Sequence, residues 1–124
     1  MRRLAYRTLL AACVGAILAL MAVGLASANG FSTDSWGCTW SGSTSFPGMF
    51  NGYAVTNGAV DCAPSMGVQL DWQDVNDGSW HSESWNWEYD EASITVYEAD
   101  SLEGSHQVYV TGHGYGQIEY THEP

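Results

Sequence analysis

The chain has 124 residues and a formal charge of −11, with its charges segregated. The three basic side chains, Arg2, Arg3 and Arg7, stand at the extreme N-terminus, and all 14 acidic ones lie from Asp34 onward. Residues 29–124 thus carry carboxylates with no Lys or Arg. That excludes nucleic-acid binding by phosphate neutralisation and any electrostatic pull toward anionic membranes.

Taken in chain order, the first element is an export leader. Arg2, Arg3 and Arg7 precede an apolar run from Thr8 to Leu25 that closes on Ala26-Ser27-Ala28. A positive start, an apolar middle and a small-x-small site are the parts of a secretory signal peptide, with cleavage expected after Ala28. The competing reading is an uncleaved anchor, because a run of about 18 apolar residues just spans a bilayer. Gly24 and the Ala-x-Ala site favour cleavage. The expected product, residues 29–124, is one secreted, extracellular domain without stable membrane association.

A domain of that size has a modest core. Cys38 and Cys62 are the two cysteines left after the leader and its Cys13 depart. In an oxidising compartment they are expected to pair. Closing a loop of about 25 residues contributes about 3–4 kcal/mol on the chain-entropy account.

Beyond the leader the periodicity is that of strands. Expected strands are 36–41, 50–56, 66–72, 79–89, 92–98, 106–112 and 115–121, separated by runs of Gly, Asn, Asp, Ser and Pro. The clearest is Met66-Gly67-Val68-Gln69-Leu70-Asp71-Trp72, with Met66, Val68, Leu70 and Trp72 on one face and polar residues on the other; this is a half-buried strand. Asn76-Asp77-Gly78 after it is hairpin-turn chemistry. Seven short strands predict an all-β fold, a small immunoglobulin-like β-sandwich of antiparallel strands with one disulfide. The stretches 41–48, 57–65 and 99–105 read as loops.

Aromatic side chains are the strongest enrichment. Residues 29–124 hold Trp36, Trp40, Trp72, Trp80, Trp85 and Trp87. On a strand Trp85, Trp87 and Tyr89 share one side. Exposed, such a row stacks on sugar rings; buried, it is the core face, which a small domain needs. Alternation places Trp36 and Trp72 in the core, whereas Trp40 and Trp80 stand near loop edges. The candidate ligand-binding residues are Trp40, Trp80, Trp85 and Trp87.

Asp74 and Asp77 are the candidate calcium ligands. Their surroundings depart from the EF-hand order, since Gly78 comes one residue early and no closing Glu follows. A solvated turn is the simpler account. The four histidines, His81, His106, His113 and His122, have no tight ligand spacing and read as surface residues. No nucleophile elbow appears, and so short a chain leaves little room for a cleft, so a non-catalytic protein is expected.

The layout (leader, small all-β body, early disulfide, aromatic-rich strands, with Trp85-Asn86-Trp87-Glu88-Tyr89 the most suggestive run) resembles small secreted amylase inhibitors of the tendamistat type. That family's Trp-Arg-Tyr triplet and second disulfide have no counterpart here, so the likeness carries no residue across. Residues and charge together point to a secreted binding domain that contacts an extracellular polysaccharide or a cationic protein through aromatic and acidic residues. The alternatives are an inhibitor or toxin-like effector docking on a basic surface, and a structural coat or matrix component. Calcium and basic macromolecules are the partners the field favours.

Overall fold

The computed structural model describes residues 28–58 and 65–124. The expected leader lies outside them except Ala28, and so does Cys62. Among the described residues the fold is all-β, with no helix, and therefore none long and apolar enough to cross a membrane.

The described residues form ten strands: β1 (Ala28–Ser35), β2 (Cys38–Gly48), β3 (Asn51–Gly58), β4 (Ser65–Asp74), β5 (Trp80–Ser82), β6 (Asn86–Glu88), β7 (Glu91–Val96), β8 (Ala99–Val110), β9 (Gly114–Tyr115) and β10 (Glu119–Glu123). They form two antiparallel sheets. The first has the order β1-β2-β3-β7; the second has β10-β8-β4-β5, with β6 also on β4 and β9 also on β8. Each edge of the second sheet is therefore a strand cut in two. Short, interrupted edges offer a poor template for pairing with another chain.

This order corrects the immunoglobulin-like expectation. In that fold the second and third strands sit in different sheets, whereas here β1, β2 and β3 run as a meander within one. The expected 79–89 strand is split into β5 and β6. The expected loops 41–48 and 99–105 are instead strand, as parts of β2 and β8.

The reason lies between the sheets. Along β2 the inward residues are Cys38, Trp40, Gly42 and Thr44, all buried. Gly42 looks like loop chemistry, but a Cβ there would lie 2.5 Å from Cγ of His106 and 2.7 Å from Cε1 of Phe31. On β8, a Cβ at Gly104 would meet Oγ1 of Thr121 at 2.5 Å and Nε2 of His106 at 2.7 Å. Two glycines on facing sheets make room for one imidazole.

His106 is thus fully buried rather than a surface residue. Nδ1 lies 2.7 Å from Oγ1 of Thr56, and Nε2 lies 2.7 Å from Oγ1 of Thr121. Thr56 donates its own proton to the Gly67 carbonyl at 2.8 Å. Its oxygen must then accept from Nδ1–H, which leaves Nε2 to accept from Thr121. The chain of donors runs β10 to β8 to β3 to β4 and ties the sheets together. Burial pushes the pKa of His106 down to about 4, which keeps this neutral tautomer in place. The buried core of the domain includes Trp40, Ala54, Met66, Val68, Leu70, Leu102 and Val108, with Phe31, which meets the imidazole edge-on at 5.5 Å, and Trp72 at its margin.

Candidate functional site

Because β4 buries Met66, Val68 and Leu70, its alternate residues Ser65, Gly67, Gln69, Asp71 and Gln73 form the outer face of the second sheet. On β8 the partners of these residues are Tyr109, Gln107, Ser105, Glu103 and Ser101. β6 sets Trp87 opposite Gly67. Directly opposed residues share a side, so Trp87 lies on the outer face. Its ring covers Gly67, where a Cβ would come within 2.6 Å of the indole. Glycine there is what allows the indole to lie flat on the sheet.

Three further rings join it. Trp85 stacks on Trp87, with centroids 5.7 Å apart and planes at 22°. Tyr115 meets Trp87 edge-on at 5.4 Å and Tyr109 at 5.1 Å. Such offset and edge contacts favour a fixed cluster of rings. Trp85, Trp87, Gln107, Tyr115 and Ile118 line a hollow of about 360 Å³. A second hollow, of about 250 Å³, is bounded by Ser65, Trp87, Tyr109 and Tyr115. At the floor, Gln107 donates from Nε2 to the Gly116 carbonyl at 2.8 Å, which holds the amide in one orientation.

Trp80 occupies the same face. It pairs with Gln73 and is 50 % exposed. Gly67 and Gln73 are six steps apart along β4, about 20 Å. The strip between the aromatic ends is polar: Gln69 donates to Ser82 at 3.3 Å, and Asp71 stands directly opposite Glu103. Asp71, Glu103, Ser105, Tyr120 and His122 share a pocket of about 450 Å³. His122 approaches Glu103 at 3.8 Å.

Three of the four expected binding tryptophans therefore lie on the outer face of the second sheet, Trp85 and Trp87 half-buried against each other and Trp80 exposed about 20 Å along it. Trp40 does not. It is 1 % exposed, packs edge-on against Phe31 at 5.1 Å, and donates from its indole to Ser35 at 3.0 Å. The β2 alternation points it inward, which removes it from the binding set. Trp36 is misplaced in the opposite sense. Expected in the core, it is 53 % exposed at the β1–β2 turn. Trp72 does join the core margin, stacked on His81 at 4.6 Å and donating to Glu83 at 3.0 Å.

The expected calcium pair is brought together, with an addition. Asp74, Asp77 and His81 offer ligand atoms within 4.8 Å of one another. Calcium takes six to eight oxygens, and an imidazole nitrogen belongs to transition-metal chemistry. The carboxylates already serve the turn: Asp74 accepts from the Asn76 amide at 2.7 Å, and Asp77 from the Ser79 amide at 2.8 Å and its hydroxyl at 2.6 Å. These Ser79 bonds hold the Asp77 carboxyl below its ordinary pKa. The geometry suits a self-satisfied turn better than a calcium site.

Tyr109, Tyr115, Gln107 and Gly67 were not legible as site residues. The signal was there for Gly67, an outward glycine in the strongest strand pattern. No family model, no curated protein and no solved structure matches the chain.

Proposed function

We propose that this chain is a secreted, non-catalytic carbohydrate-binding domain that adsorbs to extracellular polysaccharide through the outer face of its second sheet. The supporting observation is the cluster of Trp85, Trp87, Tyr109 and Tyr115 on that face, with Trp80 exposed further along it. Flat rings held by one another present apolar surface of the shape and size of a pyranose face, and the polar strip between them supplies acceptors and amides for hydroxyls. The polymer is neutral or amine-bearing. Asp71 opposite Glu103 is a like-charged pair that costs stability, and an amine laid between them offsets that cost. An anionic glycan would meet repulsion with no compensating cation.

The remaining features belong to the same proposal. Two sheets closing over one core make a β-sandwich. A Cys38–Cys62 bridge staples it: Cys38 is buried two residues before Trp40, which pairs with Gly58, four residues from Cys62. Docking on a cationic protein is the second reading, and the same Asp71–Glu103 pair favours it.

Retention on insoluble polymers separates these readings. Chitosan and cellulose are expected to hold the protein and pectate to release it, and Trp87→Ala is expected to lose about fivefold or more in affinity, roughly the 1–3 kcal/mol of a stacked ring. Retention by none of the three polymers, with salt-sensitive capture of a basic protein instead, would move the assignment to the second reading.

A further inference from the structure

Trp36 has no place in the face just described, and its local structure is unfavourable. It and Gly37 are the two central residues of the β1–β2 hairpin, with φ of 52° and 81°. Two positive φ values make this a primed turn, for which Asn-Gly is the preferred pair and a bulky first residue a genuine outlier. The indole gains little burial in return, being half exposed. Strain of this kind persists where surrounding structure over-determines it, and it collects at ligand sites.

The surroundings do fix the ring. Asp34 accepts the Gly37 amide at 2.8 Å, which locks the turn. His113, from the β8–β9 turn, stacks beneath the indole at 5.0 Å with planes at 12°. Beside the indole a hollow of about 290 Å³ is lined by Thr33, Asp34, Ser35, Gly116, Gln117 and Glu119. The connector from Gly116 to Ile118 that walls this hollow also contributes Ile118 to the Trp85–Trp87 hollow. The two hollows therefore share a wall without sharing an aromatic ring.

We infer that Trp36 is a second sugar-stacking site, with His113 backing one side of the indole, a pyranose taken on the other, and Asp34, Gln117 and Glu119 bordering it. This rests on the proposed carbohydrate reading and extends it: the domain holds its polymer at two places. The carboxylates bordering the hollow suit a neutral or amine-bearing sugar, as on the sheet face. Two weak sites on one rigid body raise retention on an insoluble polymer through effective concentration without strengthening either contact.

The test uses residues 29–124 and soluble trimers of glucosamine and of glucose, read by the indole N–H resonances in NMR. The Trp36 signal, identified by its loss in Trp36→Asn, is expected to shift and saturate with ligand in the wild-type protein and equally in Trp87→Ala. Trp36→Asn is expected to melt no lower than wild type, since Asn suits the turn, while its retention on insoluble chitosan falls roughly tenfold. A Trp36 resonance indifferent to both trimers, while those of Trp85 and Trp87 move, overturns the second site and leaves the sheet face standing. Trp36→Asn melting lower with full retention makes Trp36 a packing residue and overturns it too. If no indole signal moves with either trimer, the carbohydrate reading itself falls, and the second site with it.

Discussion

Gly67 shows how one missing methyl group serves the site. Its outward side lies under the Trp87 indole, and its carbonyl accepts from Thr56 on the inner side. Gly67→Ala is expected to lift Trp87 off the sheet and weaken polysaccharide retention, with an overpacking cost of about 1–3 kcal/mol; denaturant unfolding and a retention assay on the same preparation read both effects. His106 makes the opposite point about the interior. Its pKa is about 4 in the fold against an ordinary 6.5, so the folded state resists protonation. The stability it contributes is complete above pH 6.5 and is lost as pH falls from there to 4. The full loss is about 3 kcal/mol at 1.36 kcal/mol per unit. Urea unfolding between pH 7 and pH 4 should show that slope in the wild type and lack it in His106→Gln. Equal slopes in the two proteins would mean that the imidazole is not the buried neutral group described here.

At the scale of elements, β4 was legible because its apolar residues alternate without interruption from Met66 to Trp72. The aromatic row at Trp85 and Trp87 was visible as a row, but its side was not. Period two says which residues share a face and leaves open which face meets the core. Register against Gly67 decides it. The second half of β2 and the first half of β8 escaped notice because Gly42 and Gly104 stand where an apolar side chain would signal a strand. The smallness of Gly42 answers to His106, 64 residues on, and that of Gly104 to Thr44 and Thr121 as well as His106, and no local pattern encodes partners so distant. Gly42→Ala is accordingly expected to cost more than an ordinary surface substitution, about 1–3 kcal/mol, because its Cβ meets both His106 and Phe31. A melting temperature within a degree of wild type would contradict that packing.

Over the whole molecule, charge sets what can approach. Among the described residues the ion pairs found involve histidine alone, His81 with Asp74 at 3.9 Å and His122 with Glu103 at 3.8 Å. The remaining carboxylates repel one another, more so folded than unfolded. Raising salt from about 0.01 to 0.1 M shortens the screening length from about 30 to 10 Å, and the melting temperature at pH 7 is expected to rise; a flat response would show that the carboxylates are too far apart to matter. On the proposed reading, the same field turns away anionic polymers and leaves the aromatic face open to neutral and amine-bearing ones. Mass-spectrometric mapping of tryptophan oxidation, with and without bound chitosan, tests that face most directly. Trp80, Trp85 and Trp87 should oxidise in the free protein and be protected in the bound one, with Trp40 unreactive in both. Oxidation of the three that proceeds equally with and without polymer would contradict the account.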